Sequence, residues 1–389
     1  MMYTHHNPLQ HNLNINCLRK RTSILPYLVL IFIISGCVTT QVPIDSINTR
    51  DNLHLNINVQ DPSIIMHDGR YYLFHTGRGI SNWVSRDKVN WVRLNPVFNS
   101  APVWTEKIDP NSDNYISAPD ISYHNGKYFL YYSVSSSDFH NSAIGLATNQ
   151  SINPSDPDFK WEDQGMVIGS NSGKNRWYAT DPALIFDEND TPWLAFASHQ
   201  TGIKIVRLKN DLKTVEILSD TSEVYTIAKR GRVQNVEEEN TTGTSRIEMD
   251  NDGSNRNSVI RQEQRLKSCT LSAPFIFKRD KYFYLFVTSE YCRQVEDFSH
   301  EIIVGRSKSI TGPYVGTDGE LMDNGGGSTL TRGNEEYSGV AHNSIYQFDE
   351  KNYLVGHAYN RGSEGGTKLI ILEMIWNDNN WPEIDLASP

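Results

Sequence analysis

The sequence predicts an all-β fold, a five-bladed β-propeller. A strand–turn–strand pattern recurs five times: DPSIIMHDGRYYLFHTG from Asp61, APDISYHNGKYFLYYSVS from Ala118, DPALIFDENDTPWLAFASH from Asp181, APFIFKRDKYFYLFVTS from Ala273 and HNSIYQFDEKNYLVGHAYN from His342. Polar turn residues divide the two strands of each copy: Asp68-Gly69, Asn125-Gly126, Asn189-Asp190, Arg279-Asp280 and Asp349-Glu350. An Asx-Gly pair between apolar runs is a hairpin signal. Repetition at a spacing of roughly 60 residues marks repeated supersecondary units, and a four-stranded blade needs about that much chain.

The blades follow in order. Blade one begins near Leu55 and continues past its hairpin through Trp83-Val84-Ser85 and Trp91, which read as further strands. Blade two adds Ser142 to Ala147 and Trp161-Glu162-Asp163, and blade three ends near Ile203–Leu208. Blade four runs from Cys269 to Ser307. Blade five takes in Gly325-Gly326-Gly327 and closes with strands over Lys368–Ile375. Residues 231–267 stretch the third interval to about 92 residues, against about 57 and 63 before it. They are polar and free of aromatics, a composition that cannot bury a core, so a partly disordered surface insertion is expected. Asp250-Asn251-Asp252-Gly253 hints at a calcium loop, but the twelfth position lacks the required Glu.

The N-terminus reads as a targeting segment. Arg19-Lys20-Arg21 precede an apolar run, Ile24 to Ile34, too short to span a bilayer comfortably. Ile34-Ser35-Gly36-Cys37 follows and resembles the bacterial lipobox. Residues 1–36 are therefore expected to be a lipoprotein signal peptide, Cys37 the acylated N-terminus, residues 37–54 a tether and residues 55–389 the propeller domain. Val38 rather than an acid after Cys37 points to the outer membrane of a bacterial envelope. Cys269 and Cys292 flank the fourth hairpin, and in an exported protein they are expected to form a disulfide.

Asp and Glu number 46 against 36 Lys and Arg, for a formal charge of −10, so no basic face offers itself to nucleic acid. Aromatics make up 11%, with Tyr the commonest, which suits a carbohydrate cleft as well as a propeller core. A monomer is expected.

The first strand of each blade lines the central channel, so the residues at its head converge on one axis. These are read as Asp61, Asp120, Asp181, Ser272 and His342. Asp-Pro is a good strand-entry turn, which gives the repeat a structural cause. Carboxylates gathered in a cleft are also candidates for chemistry. Glycoside hydrolysis needs two: one acid for the leaving oxygen and one base for water.

The run DPSII with YYLFHTG, APDISYHNGKYFLYYSVS with SAIGLAT, KWEDQGMVI, DPALI, APFIFK with YFYLF, VGRSKSITGPY and GVAHNSIYQF resembles glycoside hydrolase family 43. The nearest branch is the endo-1,5-α-L-arabinanases, and the likeness covers about residues 57–378 apart from the insertion. It implies an inverting displacement on a polysaccharide or oligosaccharide by a five-bladed propeller. Asp61 matches the general base, Asp181 the aspartate that orients the acid, and His342 a channel histidine associated with a calcium ion held mainly through waters.

The departures from the family pattern are specific. Ser272 stands where the family has its general-acid glutamate, and a hydroxyl is too weak an acid for that task near pH 7. Ser117 replaces a tryptophan, His199-Gln200 an aromatic pair and Tyr178 an asparagine. Ser117, Asp120, Ser142, Tyr178 and His199 are the expected substrate-binding set. Glu290, Glu237 and Glu263 are candidates for a displaced acid. Two readings stay open: a surface-anchored hydrolase of arabinan or a related glycan, and a propeller of the same descent that binds a glycan without cutting it.

Overall fold

The computed structural model describes residues 56–111, 113–137, 140–171, 177–198, 201–216, 224–230, 270–290, 300–361 and 366–384. The signal segment, the tether, Cys37, His199, the insertion with Glu237 and Glu263, Cys269 and Cys292 lie outside them.

Five antiparallel blades follow one another. The first holds β1 (Ser63–His67), β2 (Arg70–His75), β4 (Ser81–Ser85) and β5 (Trp91–Leu94), while the short β3 (Gly77–Arg78) pairs into the next blade. The second holds β6 (Tyr115–His124), β7 (Lys127–Ser135), β8 (Asn141–Asn149) and β9 (Glu162–Asn171). The third holds β10 (Thr180–Phe186), β11 (Pro192–Ala197), β12 (Ile203–Arg207) and β13 (Tyr225–Ala228). The fourth holds β14 (Leu271–Arg279), β15 (Tyr282–Glu290), β16 (His300–Ser307) and β17 (Ser328–Thr331). The fifth holds β18 (Tyr337–Phe348), β19 (Lys351–Asn360), β20 (Thr367–Trp376) and β21 (Pro382–Ile384).

The hairpin turns follow their residues. Asp68-Gly69 and Asn125-Gly126 take positive φ at both positions, as the two-residue loops between His67 and Arg70 and between His124 and Lys127 demand. In the fourth blade Arg279 pairs with Tyr282, so the turn is Asp280-Lys281, one residue later than expected. Two outer strands also differ from expectation. β13 extends blade three beyond Leu208, and Gly325-Gly326-Gly327 precedes β17 in blade four rather than opening blade five. Neither β13 nor β17 exceeds four residues, too short a run for alternation to show.

Packing closes the ring. Five buried clusters fill the five seams: Phe74 with Ile121 between blades one and two, Leu146 with Phe196 between two and three, and Ile205 with Phe283 between three and four. Phe286 with Leu354 fills the fourth seam, and Trp91 with Val355 joins the last blade to the first. The last seam carries polar ties as well. Tyr346 OH bonds Ser63 Oγ at 2.9 Å and accepts the Ile64 N–H at 3.2 Å. Asn58 bridges to Lys368, and the Leu369 N–H donates to Ile57 O at 3.2 Å.

Candidate active site at the channel mouth

The five inner strands begin alike. Asp61, Ala118, Asp181, Ala273 and His342 adopt left-handed φ of 54°, 48°, 53°, 47° and 51°, and β6, β10, β14 and β18 shift register there. A non-glycine residue in this conformation costs about 1–2 kcal/mol, so something must hold it. The preceding blade does. The N–H of Ala118 donates to Thr76 Oγ1 at 2.9 Å, that of Asp181 to Ser133 Oγ at 2.9 Å and that of His342 to Thr288 Oγ1 at 2.8 Å. The Asp61 N–H donates to His357 Nδ1 at 3.1 Å, closing the circle. Only the position of Ala197 on β11 lacks an acceptor side chain, and there the carboxylate of Asp181 takes the Ala273 N–H at 3.0 Å.

This repeat corrects the expected register of the head positions. Ala118 and Ala273, not Asp120 and Ser272, are the counterparts of Asp61. Ser272 lies one residue nearer the mouth. Asp120 lies one layer deeper, where its Oδ2 accepts the Leu184 N–H at 2.9 Å, as Ser63 Oγ accepts the Ile121 N–H at 3.0 Å. The left-handed residue adds one position to each inner strand, a displacement that strand alternation does not reveal.

Asp61 is the centre of the site. Its Oδ1 lies 3.1 Å from His342 Nδ1, and its Oδ2 accepts the Thr76 hydroxyl at 2.5 Å. Burial works to raise the pKa of Asp61, but the charge and hydrogen bond of His342, with His357 and Thr76, hold it well below the usual carboxylate range. Burial likewise opposes charge on His342, yet Asp61, aided by Asp181 and Asp120, pushes its pKa up. Each of the two groups thus favours the charged form of the other.

Two other histidines are held neutral. His357 accepts from Asp61 N through Nδ1, which leaves Nε2–H for Tyr359 OH at 3.3 Å. His75 accepts the Trp83 indole N–H at 3.0 Å through Nε2 and donates from Nδ1 to Thr76 O at 2.8 Å. Burial lowers both to about 4. Asp120, only 6% exposed, is raised to about 7 by burial.

The rest of the expected set divides. Ser117, half-buried, sits at the mouth and donates to Ser133 O at 3.3 Å. Tyr178 lies beside the third head, its N–H donating to Ser198 Oγ at 2.7 Å. Ser142 is withdrawn from the substrate set. It has no exposed surface, pairs with Ser170 Oγ at 2.6 Å and accepts the Ala179 N–H, so it belongs to the seam of blades two and three. Ser272 lies opposite Thr288 on β15. Thr76, His357, Tyr359 and Tyr115 were not anticipated. Tyr115 is 54% exposed, and the charge of Asp61 acts on it. Thr76, Ser133, Thr288 and His357 end the aromatic strands of their repeats, and that recurring polar position is the signal that could have found them.

A family model, glycosyl hydrolases family 43, matches residues 51–221 and 215–382. This chain belongs to glycoside hydrolase family 43. Within the family it is similar to the extracellular exo-α-(1→5)-L-arabinofuranosidase ArbA of Cellvibrio japonicus, with 36% identity over 85% of this chain and 87% of that one. Identity to the extracellular endo-α-(1→5)-L-arabinanase 1 of Bacillus subtilis is 35%, over 83% and 87% of the two chains. Among solved structures, an exo-1,5-α-L-arabinanase from a bovine ruminal metagenomic library superposes with TM-score 0.71 at 37% identity, covering 85% of this chain and 98% of that one. The α-L-arabinanase of Cellvibrio cellulosa in complex with arabinohexaose gives 0.70 at 36% identity, covering 85% and 96%. These family 43 structures and the seam clusters together give a five-bladed propeller.

The calcium implied for this family meets a limited donor set. Among the described residues no three His, Cys, Asp or Glu side chains are grouped to hold a metal. Asn343, beside His342, stands where the other blades carry Pro62, Pro119, Pro182 and Pro274. It is buried with both amide atoms unpartnered. A water molecule would satisfy them, and so would a hydrated cation. The donors present thus suit an ion held through water and not one ligated by protein.

Proposed function

We propose that this protein is a hydrolase of arabinanase type, cleaving α-1,5-linked L-arabinan or a closely related glycan by inverting displacement at the channel mouth. The observation that carries this is Asp61: ionised, oriented through both oxygens, and set at the head of the first blade in a family 43 propeller. His342 and Thr76 fix the carboxylate plane so that a remaining lone pair can take a proton from water as that water attacks the anomeric carbon. Tyr115 offers an exposed ring for a sugar face where the expected tryptophan is Ser117. The test is purified protein on linear arabinan, with reducing ends and product anomer followed by NMR. Release of the β-anomer first is expected. No turnover of arabinan or of any aryl arabinofuranoside would refute the reading. Ser272 favours a second reading, a glycan-binding propeller without turnover, for which the same experiment would show binding alone.

The cellular setting is part of the proposal. The Ile34-Ser35-Gly36-Cys37 motif supports a signal peptide, acylation at Cys37 and an outer-membrane lipoprotein that acts as a monomer on glycan outside the cell. Mass analysis of the mature N-terminus tests it, and a product lacking diacylglycerol would overturn it. A channel calcium would be held through water by His342 and Asn343, and its positive charge would stabilise nearby carboxylates. Calorimetric titration with calcium tests that ion.

A further inference from the structure

We propose that Glu290 is the general acid that protonates the leaving sugar oxygen, in place of the hydroxyl at Ser272; the proposal rests on the hydrolase reading above. An inverting hydrolase needs one carboxylate as base and one carboxylic acid for the leaving group. Among the described residues, the inner strand pairs carry four acids at their mouth ends: Asp61, Asp120, Asp181 and Glu290.

The first three have defined places of their own. Asp61 is the base and faces His342 Nδ1 at 3.1 Å. Asp120 lies a layer below the mouth and binds Leu184 N across a seam. Asp181 uses Oδ2 to hold Ala273 N, supplying the acceptor that Ala197 lacks. On the next strand Glu301 is buried between two guanidinium groups, Arg230 at 3.2 Å and Arg332 at 3.1 Å.

Glu290 is differently placed. Ser272 pairs directly with Thr288, and directly opposed residues of an antiparallel pair point to one face. Two residues on, Glu290 shares that face and stands diagonal to Ser272, within reach of a long side chain. The face is the one turned to the fifth blade. Thr288 there accepts His342 N at 2.8 Å, whereas Ser289, between them, points away to Arg230. Glu290 is solvent-accessible and pairs across the strands with His300, whose ring stacks on Tyr359 at 4.9 Å. Tyr359 reaches back to His357 and so to Asp61 N. Glu290 thus lies on the outer side of a short polar chain that starts at the base. Burial lowers the pKa of His300, against the opposing charge of Glu290.

The step balances. The Glu290 proton passes to the glycosidic oxygen as its bond to the anomeric carbon breaks. The water oxygen bonds to that carbon while a water proton passes to Asp61. Glu290 is left a carboxylate and Asp61 a carboxylic acid, and solvent exchange resets both.

The test compares Glu290→Gln with wild type on arabinan and on 2,4-dinitrophenyl arabinofuranoside, whose leaving group departs without protonation. Arabinan turnover should fall about 10²–10⁴-fold, as for loss of a general acid, while the aryl substrate falls less than about tenfold. The basic limb of the wild-type pH profile on arabinan should vanish, and Glu290→Asp should keep part of the rate. Equal losses on both substrates, or no loss on either, would overturn the assignment. So would a wild type active on the aryl glycoside but inert to arabinan, which leaves the hydrolase fold intact without its acid. A wild type inert to both overturns the hydrolase reading itself.

Discussion

The Thr76 hydroxyl donates to Asp61 Oδ2 at 2.5 Å while its oxygen accepts the Ala118 N–H at 2.9 Å. One atom therefore orients the base and ties the first blade to the second. Thr76→Val keeps the shape and removes both bonds. The orphaned Ala118 N–H should cost about 1–3 kcal/mol in urea unfolding. With Asp61 less restrained, kcat should fall more than KM rises. Thr76→Ser should restore both, and a Val variant as stable and active as wild type would refute the role.

His342 sets the charge of Asp61. In His342→Gln the charge and hydrogen bond of the histidine are lost while burial, which favours the neutral acid, remains. The Asp61 pKa should rise, and with it the acidic limb of the kcat/KM profile should move to higher pH. Wild type should show no limb assignable to Asp61 above about pH 4, an ordinary carboxylate value. Coincident acidic limbs in the two proteins would end the argument.

Acid should destabilise the propeller, because two buried histidines outweigh Asp120, whose raised pKa of about 7 works the other way. His75 and His357 have folded pKa values of about 4, against 6.5 for the free side chain. As pH falls below 6.5 the unfolded chain takes up these protons and the native state does not, so stability falls with pH down to about 4. His342 acts in another window. Its raised pKa adds stability that is complete below 6.5 and lost as pH climbs through the folded value. Urea midpoints measured from pH 7 to 4.5 should decline, and His75→Asn should flatten the slope.

Ser272→Glu places a carboxylic acid diagonal to Glu290. In the Glu290→Gln background it should recover at least tenfold of the arabinan rate, about 1.4 kcal/mol of barrier. In the wild-type background the two acids would repel, so a smaller gain is expected. A double variant no better than Glu290→Gln alone would show that position 272 cannot deliver a proton here.

Thr270 and Glu290, which lead to Cys269 and Cys292, are joined by the Glu290 N–H to Thr270 O at 3.2 Å. A disulfide between the two cysteines is expected to add about 3 kcal/mol in the chain-entropy model. Thiol counting on unfolded, unreduced mature protein should find neither cysteine free, and two free thiols would exclude the bridge.

Much of this was legible in the residues. The Asx-Gly turns and aromatic second strands gave five hairpins, and the spacing gave blades. Asp61, Asp181 and His342 read as channel residues because they recur at one point of the repeat. The inward order at the mouth was not legible. A left-handed residue inserts itself into each inner strand, and alternation on either side of it looks unbroken, so Asp120 and Ser272 were read as neighbours of Asp61 in rank. The acceptors Thr76 and His357 were missed because each sits on the second strand, where an isolated polar residue after an aromatic run looks like a strand end.

The bridge from Asn58 to Lys368 has a consequence for biogenesis. A chain made from its N-terminus emerges with residues 57–59 long before their partners on β20 exist. Until then the first blade has one bare flank, and the loop that must close is nearly the whole domain. Loop-closure entropy grows only slowly with length, so the final latch is thermodynamically affordable but must come last. A nascent or truncated chain ending before Thr367 would therefore remain an open arc, a substrate for chaperones or proteases instead of a finished ring.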